Sequence, residues 1–316
     1  MKVLVTGGAG FIGSHIVDAL VSRGDDIVVL DNLSTGSLAN IQGHLDKSRI
    51  DFIKGDIRFF EDACAAMNHV DAVVHCAALA SVSRSVEDPV ETNSVNVDGT
   101  LNLLLRASRA PGIKKFVFSS SSSVYGNTLN LPKRENMAPA PRSPYATQKL
   151  TGEFYCRNFH ALYKLKTYCL RYFNVYGPRQ NPNSQYAAVI PRFITALLKD
   201  EAPMIHGDGK QTRDFTFVAD VVAANLACLD DEAETGLGEV FNVCGGHSIS
   251  INELAENIGL ILDKSSVVPT HSLPRPGDVK DSLGDCSKAY KHLGWKSKTK
   301  LKDGLVFTCE HFKEKP

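Results

Sequence analysis

No apolar run in this 316-residue sequence reaches the roughly 18 residues that a membrane-spanning helix needs, and its eight cysteines form no Cys-x-x-Cys pair. The first absence argues against a membrane protein. The second, with the thiols at positions 64, 76, 156, 169, 228, 244, 286 and 309 scattered through apolar segments, suits buried reduced cysteine better than disulfides or a zinc site. The ten histidines show no ligand spacing either, so no metal is expected. An excess of one charge is also missing, because 35 basic residues balance 35 acidic ones. No global field then favours nucleic acid or an anionic membrane, and any phosphate has to be bound locally. No signal-peptide region precedes the buried-strand pattern that starts at Lys2, which leads us to expect a cytoplasmic protein. Internal repeats and low-complexity tracts are absent, and the run Ser119–Ser123 is too short and too closely flanked by strand to be a linker.

What is present is a regular alternation. Short apolar runs at Lys2–Thr6, Ile27–Asp31, Ile50–Lys54, Ala72–His75, Phe116–Ser119 and Thr167–Tyr172 are separated by stretches long enough for helices, read at Gly13–Arg23, Asn93–Arg109 and Tyr145–Tyr163. This predicts an α/β fold with a parallel, doubly wound sheet. Right-handed crossovers place the carboxyl ends of all its strands, and the loops after them, along one edge. Past Gly177 the alternation is interrupted by Pro178, Pro182 and Pro191, which predicts a smaller, mixed α/β domain over residues 178–316 beside a first domain of residues 1–177. Segments within 215–246 are candidates to return to the sheet, so the boundary is not a single cut. Ser250-Ile-Asn-Glu253 has capping-box spacing before an apolar helical run that ends near Leu262.

Gly8-Ala-Gly10-Phe11-Ile12-Gly13 fits the glycine-rich dinucleotide fingerprint, and Gly7, Gly10 and Gly13 fit its related spacing. Such a turn brings backbone close to a pyrophosphate and faces it with a helix amino terminus. The match alone is weak, since glycine-rich turns are common. Here it follows a strand, opens a helix and is followed by Asp31 at the end of the next strand, the context the fingerprint requires. Asp31 would accept hydrogen bonds from ribose hydroxyls and repel a ribose phosphate, so NAD is favoured over NADP. Asp56-Ile57 after the third strand and Cys76-Ala77-Ala78 after the fourth are placed to touch adenine and the dinucleotide backbone. A turn cap or simple packing remains the other reading of these five residues.

Tyr145-Ala-Thr-Gln-Lys149 puts a lysine one helical turn from a tyrosine, where its charge favours the phenolate and makes the tyrosine a better base. Alone, this pair would equally be a solvated helix face. It gains weight from Ser143-Pro144, which starts the helix at the tyrosine, and from the serine-rich strand end that brings a hydroxyl to the same edge.

Thr6–Gly13, Asp31-Asn32-Leu33, Ser119–Gly126, Tyr145–Lys149 and Arg171-Tyr-Phe-Asn174 together resemble the extended short-chain dehydrogenase/reductase family, and within it the nucleotide-sugar 4-epimerases, along essentially the whole chain. The resemblance implies a Rossmann domain holding NAD, with Ser121 as catalytic hydroxyl, Tyr145 as base and Lys149 as cofactor-binding lysine. It also places Asn32, Asn96 and Phe173 near NAD. A homodimer formed through the helices around Asn93–Arg109 and Thr147–Tyr163 is implied as well.

The family's sugar dehydratases carry an Asp-Glu pair just after the catalytic hydroxyl, and its UDP-glucuronate decarboxylases usually a glutamate in that stretch; this chain has Ser122-Ser123. That favours simple epimerisation. By the same resemblance Met204-Ile205-His206, Arg213-Asp-Phe and Arg275-Pro-Gly-Asp278 correspond to uridine and diphosphate contacts, joined by Asn174 and Val189 on the substrate side. Arginine suits the role because its planar fork pairs with phosphate. His206 fits a satisfied or solvated histidine equally well. Ser282, Ala188 and Ser81 resemble the pattern of enzymes that accept N-acetyl sugars. The expectation is NAD-dependent 4-epimerisation of a UDP-hexose, leaning to the N-acetylhexosamines, through a transient 4-keto sugar. The alternatives are a UDP-glucose 4-epimerase proper, a dehydratase, decarboxylase or reductase of the same family, and a non-catalytic NAD sensor.

Overall fold

The computed structural model describes residues 1–110, 112–182, 187–273 and 279–314. Its central sheet has seven strands: β1 (Lys2–Thr6), β2 (Asp26–Asp31), β3 (Ile50–Lys54), β4 (Ala72–His75), β5 (Lys115–Ser121), β6 (Thr167–Tyr172) and β7 (Glu239–Val243). All pairs are parallel, in the order β7-β6-β5-β4-β1-β2-β3. The doubly wound α/β sheet expected from the sequence is therefore present, and β7 joins it beside β6 from late in the chain.

Strand residues alternate between two apolar cores because successive side chains leave opposite faces. Val3, Val5, Ile27 and Val29 enter one core with helices α1 (Phe11–Arg23) and, later in the chain, Val218–Asp230. Leu4, Val28 and Leu30 enter the other with α2 (Gly99–Ser108) and α3 (Pro144–Tyr163). Both faces are covered, which is why the strands read as continuous apolar runs. A third core forms where α4 (Val189–Leu198), α6 (Ile251–Ile261) and α7 (Leu301–Glu314) meet, α5 being the helix Val218–Asp230. The capping box at α6 is formed: Glu253 N donates to Ser250 Oγ at 3.1 Å and Ser250 N to Glu253 Oε2 at 2.8 Å.

Two elements differ from the sequence reading. β5 continues past Ser119 to Ser121, so its last hydroxyl stands at the carboxyl edge. The single helix expected over Asn93–Arg109 begins earlier, at Pro89, and widens into a π-type turn over Ser94–Asp98 before α2. Asn96 on that turn is committed to protein: it accepts from Leu79 N at 2.9 Å and donates to Gln148 Oε1 at 2.8 Å. No helix of the described residues is long and apolar enough to cross a membrane. All eight cysteines are free thiols.

Candidate active site

The strand order reverses between β1 and β4, and there the carboxyl ends open a cleft of about 500 Å³. Its floor is the turn after β1. Gly7 has φ +69°, and a Cβ on it would fall 2.7 Å from Ala77 N. A Cβ on Gly13 would fall 2.1 Å from Gly7 O. Only glycine lets the loop after β4 and the first turn of α1 close on this turn. Gly10 precedes α1 without any side-chain cap, so the first amides of the helix are left for a ligand's anion. Gly7, Gly10, Phe11, Ile12 and Gly13 all line the cleft.

Asp31 ends β2 on the same wall, accepting from Ala9 N at 3.0 Å and Leu33 N at 2.8 Å. Burial pushes its carboxyl up, and the two amide donors oppose that shift. Asp56 sits beyond it. Burial would raise its carboxyl too, but hydrogen bonds from Arg58 and Asn32 hold it at about 2. It is thus anionic and already paired. Asn32, Ile57, Cys76, Ala77, Ala78 and Ser81 complete this lining. A dinucleotide of the NAD type fits these residues: a glycine floor, a helix amino terminus, and a carboxylate at the end of β2.

The opposite wall carries the reactive side chains. Ser143 caps α3 by accepting from Ala146 N at 3.2 Å, and Pro144 opens the first turn, which delivers Tyr145 to the cleft. Ser121, the last residue of β5, lies close enough to the Tyr145 hydroxyl to act on it. Burial pushes the phenol up to about 12, and the Ser121 contact only partly offsets this. Lys149 lies one turn on, with Nζ donating to Ser119 O at 2.7 Å. Burial pushes its ammonium down to about 8. Burial outweighs the lysine charge that the sequence argument relied on: desolvation is the largest influence on both groups, and one of the ammonium's three donors goes to a backbone carbonyl.

A second cavity of about 230 Å³ opens beyond β6. Its wall brings together Asn174, Ala188, Val189, Met204, Ile205, His206 and Arg213, seven residues drawn from four separate segments. Arg213 Nη1 donates to Thr212 O at 2.8 Å and Lys280 O at 3.2 Å. Ser272 Oγ is 2.8 Å from His206 Nδ1. Beneath them Asp214 is fully buried and accepts from the amides of Gly245, Gly246 and Gly284 at 2.8, 3.2 and 3.0 Å. Burial pushes its carboxyl up to about 7, against those three donors.

Not every residue singled out in the sequence lies on a cavity wall. Asn96 stands behind Leu79, and Phe173 is fully buried against Tyr125 and Cys244. Ser282 is buried with its amide donating to Thr212 O at 3.2 Å, and Ser122 opens the short helical turn after β5. Arg275 and Asp278 lie outside the described residues. Conversely, Arg84, Ser119, Tyr172 and Asn181 line the cleft without having been read as site residues. Arg84, three residues after Ser81 in a short helix at the carboxyl edge, offered one usable signal, a cation close to a residue already singled out. Among the described residues no group of three or more His, Cys, Asp or Glu is arranged to hold a metal ion.

Residues 3–244 match the model of the NAD dependent epimerase/dehydratase family. A putative UDP-glucose 4-epimerase of Methanocaldococcus jannaschii is 42% identical over 305 residues, covering 96% of this chain and 95% of that protein. Among solved structures, the UDP-N-acetylglucosamine 4-epimerase of Methanobrevibacter ruminantium in complex with UDP-N-acetylmuramic acid is similar with a TM-score of 0.94 at 41% identity, covering 100% of this chain and 99% of that one. The UDP-glucose 4-epimerase of Thermotoga maritima with UDP-glucose gives a TM-score of 0.93 at 38% identity, covering 99% of each chain. Sugar-nucleotide dehydratases and decarboxylases are also similar along nearly all of the chain.

Proposed function

The chain belongs to the NAD dependent epimerase/dehydratase family, and from that premise we propose that it is an NAD-dependent 4-epimerase of UDP-hexoses, preferring the N-acetylhexosamines and also accepting UDP-glucose and UDP-galactose. One observation carries this reading: Tyr145 stands with Lys149 in the wall of the same cleft whose floor is the glycine turn, and Ser121 ends β5 close enough to act on the phenol. Gly7, Gly10, Gly13 and Asp31 would hold NAD there, and the cofactor would supply a reversible hydride acceptor for carbon 4 of the sugar. The chain's own residues handle the proton. Tyr145 takes it from the 4-hydroxyl and gives it back, directly or through Ser121, while buried Lys149 keeps a positive charge near the phenol.

Dehydration or decarboxylation is the second reading. Elimination needs an additional acid and base beside the sugar. The only carboxylates among the described residues lining the cleft are Asp31 and Asp56. From β5 to β2 is three strand spacings, about 14 Å, which puts them at the cofactor end. Ser122 and Ser123 occupy the stretch next to Ser121. This arrangement supports epimerisation.

For the sugar, the small side chains of Ala188 on the second cavity and Ser282 beside Thr212 support room for an N-acetyl group. We propose residues 178–316 as the part that covers the nucleotide, with Arg213, Arg275 and Asp278 among its uridine and diphosphate contacts and the arginines on the diphosphate. We further propose a cytoplasmic homodimer, supported by the exposed apolar side chains Val90, Phe154 and Leu162 on packed neighbouring helices. The deciding experiment incubates purified protein, without added NAD, with UDP-N-acetylglucosamine and separately with UDP-glucose, and follows the anomeric proton signals by NMR. Interconversion with the galacto epimers, faster for the acetylated pair, is expected. A new 4-keto-6-deoxy signal would establish dehydration instead, and a pentose signal from UDP-glucuronate in a third incubation would establish decarboxylation.

A further inference from the structure

One charged side chain outside the cleft is buried with no opposite charge to hold it. Lys133 is 2% exposed, and its ammonium makes a single hydrogen bond, donating to Gly126 O at 3.3 Å. Among the described residues no carboxylate pairs with it. Its backbone is pinned on both sides: the amide donates to Leu283 O at 2.8 Å, and the carbonyl accepts from Asp285 N at 3.0 Å and Asn242 Nδ2 at 2.9 Å. The side chain therefore has no easy route to water. Burial pushes the ammonium down to about 8, and the charge that adds to this is another cation, Arg213.

An ammonium removed from water with one long hydrogen bond is costly to the fold. Outside the cleft, the other cation buried to this level among the described residues, Arg171, is paired with Glu153 at 2.6 Å. Lys133 differs in that no carboxylate among the described residues compensates it. Its position indicates what supplies the compensation. Its acceptor Gly126 closes the turn that begins at Ser121, and its backbone is held by Leu283, next to Ser282, which bonds Thr212; Lys133 thus lies behind Arg213, the cation that acts on it and that stands on the wall of the second cavity. On the proposed function, a nucleotide base in the second cavity and a sugar at Tyr145 leave the diphosphate between them. That diphosphate is the anionic part of the substrate.

We propose that Lys133 supplies a second positive charge to the diphosphate site, from behind Arg213. It is a positioning residue. Its field acts through a low-dielectric interior, where a preorganised charge counts for more than in water, and it needs no contact with the reacting atoms. Its repulsion also favours conformations of the Arg213 fork that face the cavity.

The test compares the NAD-loaded wild type with Lys133→Met by calorimetric titration with uridine, UMP and UDP. The methionine keeps the length of the side chain and removes the charge. Uridine affinity should change little, UMP should weaken several-fold, and UDP roughly tenfold to a hundredfold, the scale of a lost charge-assisted contact. The unliganded variant should melt no lower than the wild type, because an uncompensated charge has been removed. Equal losses for all three ligands would mean that Lys133 only packs, and unchanged UDP binding would mean that its charge is idle; either result overturns the proposal. Lys133→Gln provides the same comparison if the methionine variant does not fold. Failure of the wild type to bind either uridine or UDP would instead sink the proposed function, and this inference with it.

Discussion

The ammonium of Lys149 is 2.7 Å from the carbonyl oxygen of Ser119 but 6.0 Å from the centre of the Tyr145 ring. The lysine is thus anchored to the end of β5 and influences the phenol at a distance, through its charge. With burial pushing it down to about 8, that charge is present below pH 8 and is lost as pH rises through it. We expect kcat/KM to decline above about pH 8, and Lys149→Met to lack this limb while being on the order of a hundredfold slower. The linkage has the opposite sign for stability. The unfolded lysine titrates near 10.5, so between about 8 and 10.5 the unfolded chain binds more protons, and this group favours folding increasingly as pH rises. Urea midpoints of wild type and variant across that window check the second statement, and a pH-rate profile the first.

Tyr145→Phe removes the ionisable hydroxyl and its contact with Ser121 while keeping the ring that fills the wall. Epimerisation should fall by roughly two to four orders of magnitude, the range for loss of a general acid–base group. Bound NAD, measured in the denatured extract, should be retained. Turnover near the wild-type rate would show that another group carries the proton.

Asp31 holds the Ala9 and Leu33 amides and also presents its carboxylate to the cleft. Asp31→Ala removes both the ribose acceptor and the charge that repels a ribose phosphate. Retention of NAD should weaken, and discrimination against NADP should relax, as read by titrating each cofactor into stripped protein. Part of the loss will come from the loosened turn, which affects both cofactors equally, so the NAD-to-NADP ratio is the quantity that tests the assignment. NADP as the cofactor extracted from wild-type protein would overturn it.

The sheet was legible because β-branched runs such as Val3-Leu-Val5 and Ile27-Val-Val-Leu30 have to bury both faces, and no other element satisfies them. The cradle was legible because its glycines are required by contacts as close as 2.1 Å. The protonation of Tyr145 was not. It depends on which acceptor takes the Lys149 proton donor, and helical spacing places the lysine without saying whether it turns to the ring or to Ser119 O. Tyr172 and Asn181 escaped for a related reason: one ends a buried strand and the other lies in a loop whose path no periodicity fixes. Lys133 was hidden in a proline-rich connection, where nothing in the sequence reveals that residues 283 and 285 clamp it.

Ser282 offers the sharpest test of substrate choice. It is 5% exposed, its amide donates to Thr212 O, and Arg213 follows on the cavity wall. A phenol ring cannot be held in the volume of a buried serine, so in Ser282→Tyr it has to project toward open space, and the nearby space is the second cavity beside Arg213. If carbon 2 of the sugar lies there, the ring will collide with an N-acetyl group and spare a hydroxyl, which excludes one substrate while leaving the other. We expect a large loss of activity on UDP-N-acetylglucosamine with activity on UDP-glucose kept or improved, measured as kcat/KM for each sugar in parallel. Equal losses on both would indicate a general packing defect around Thr212. No loss on either would place Ser282 away from the sugar, and would leave Ala188 and Ser81 as the remaining small residues to examine for the acetyl group.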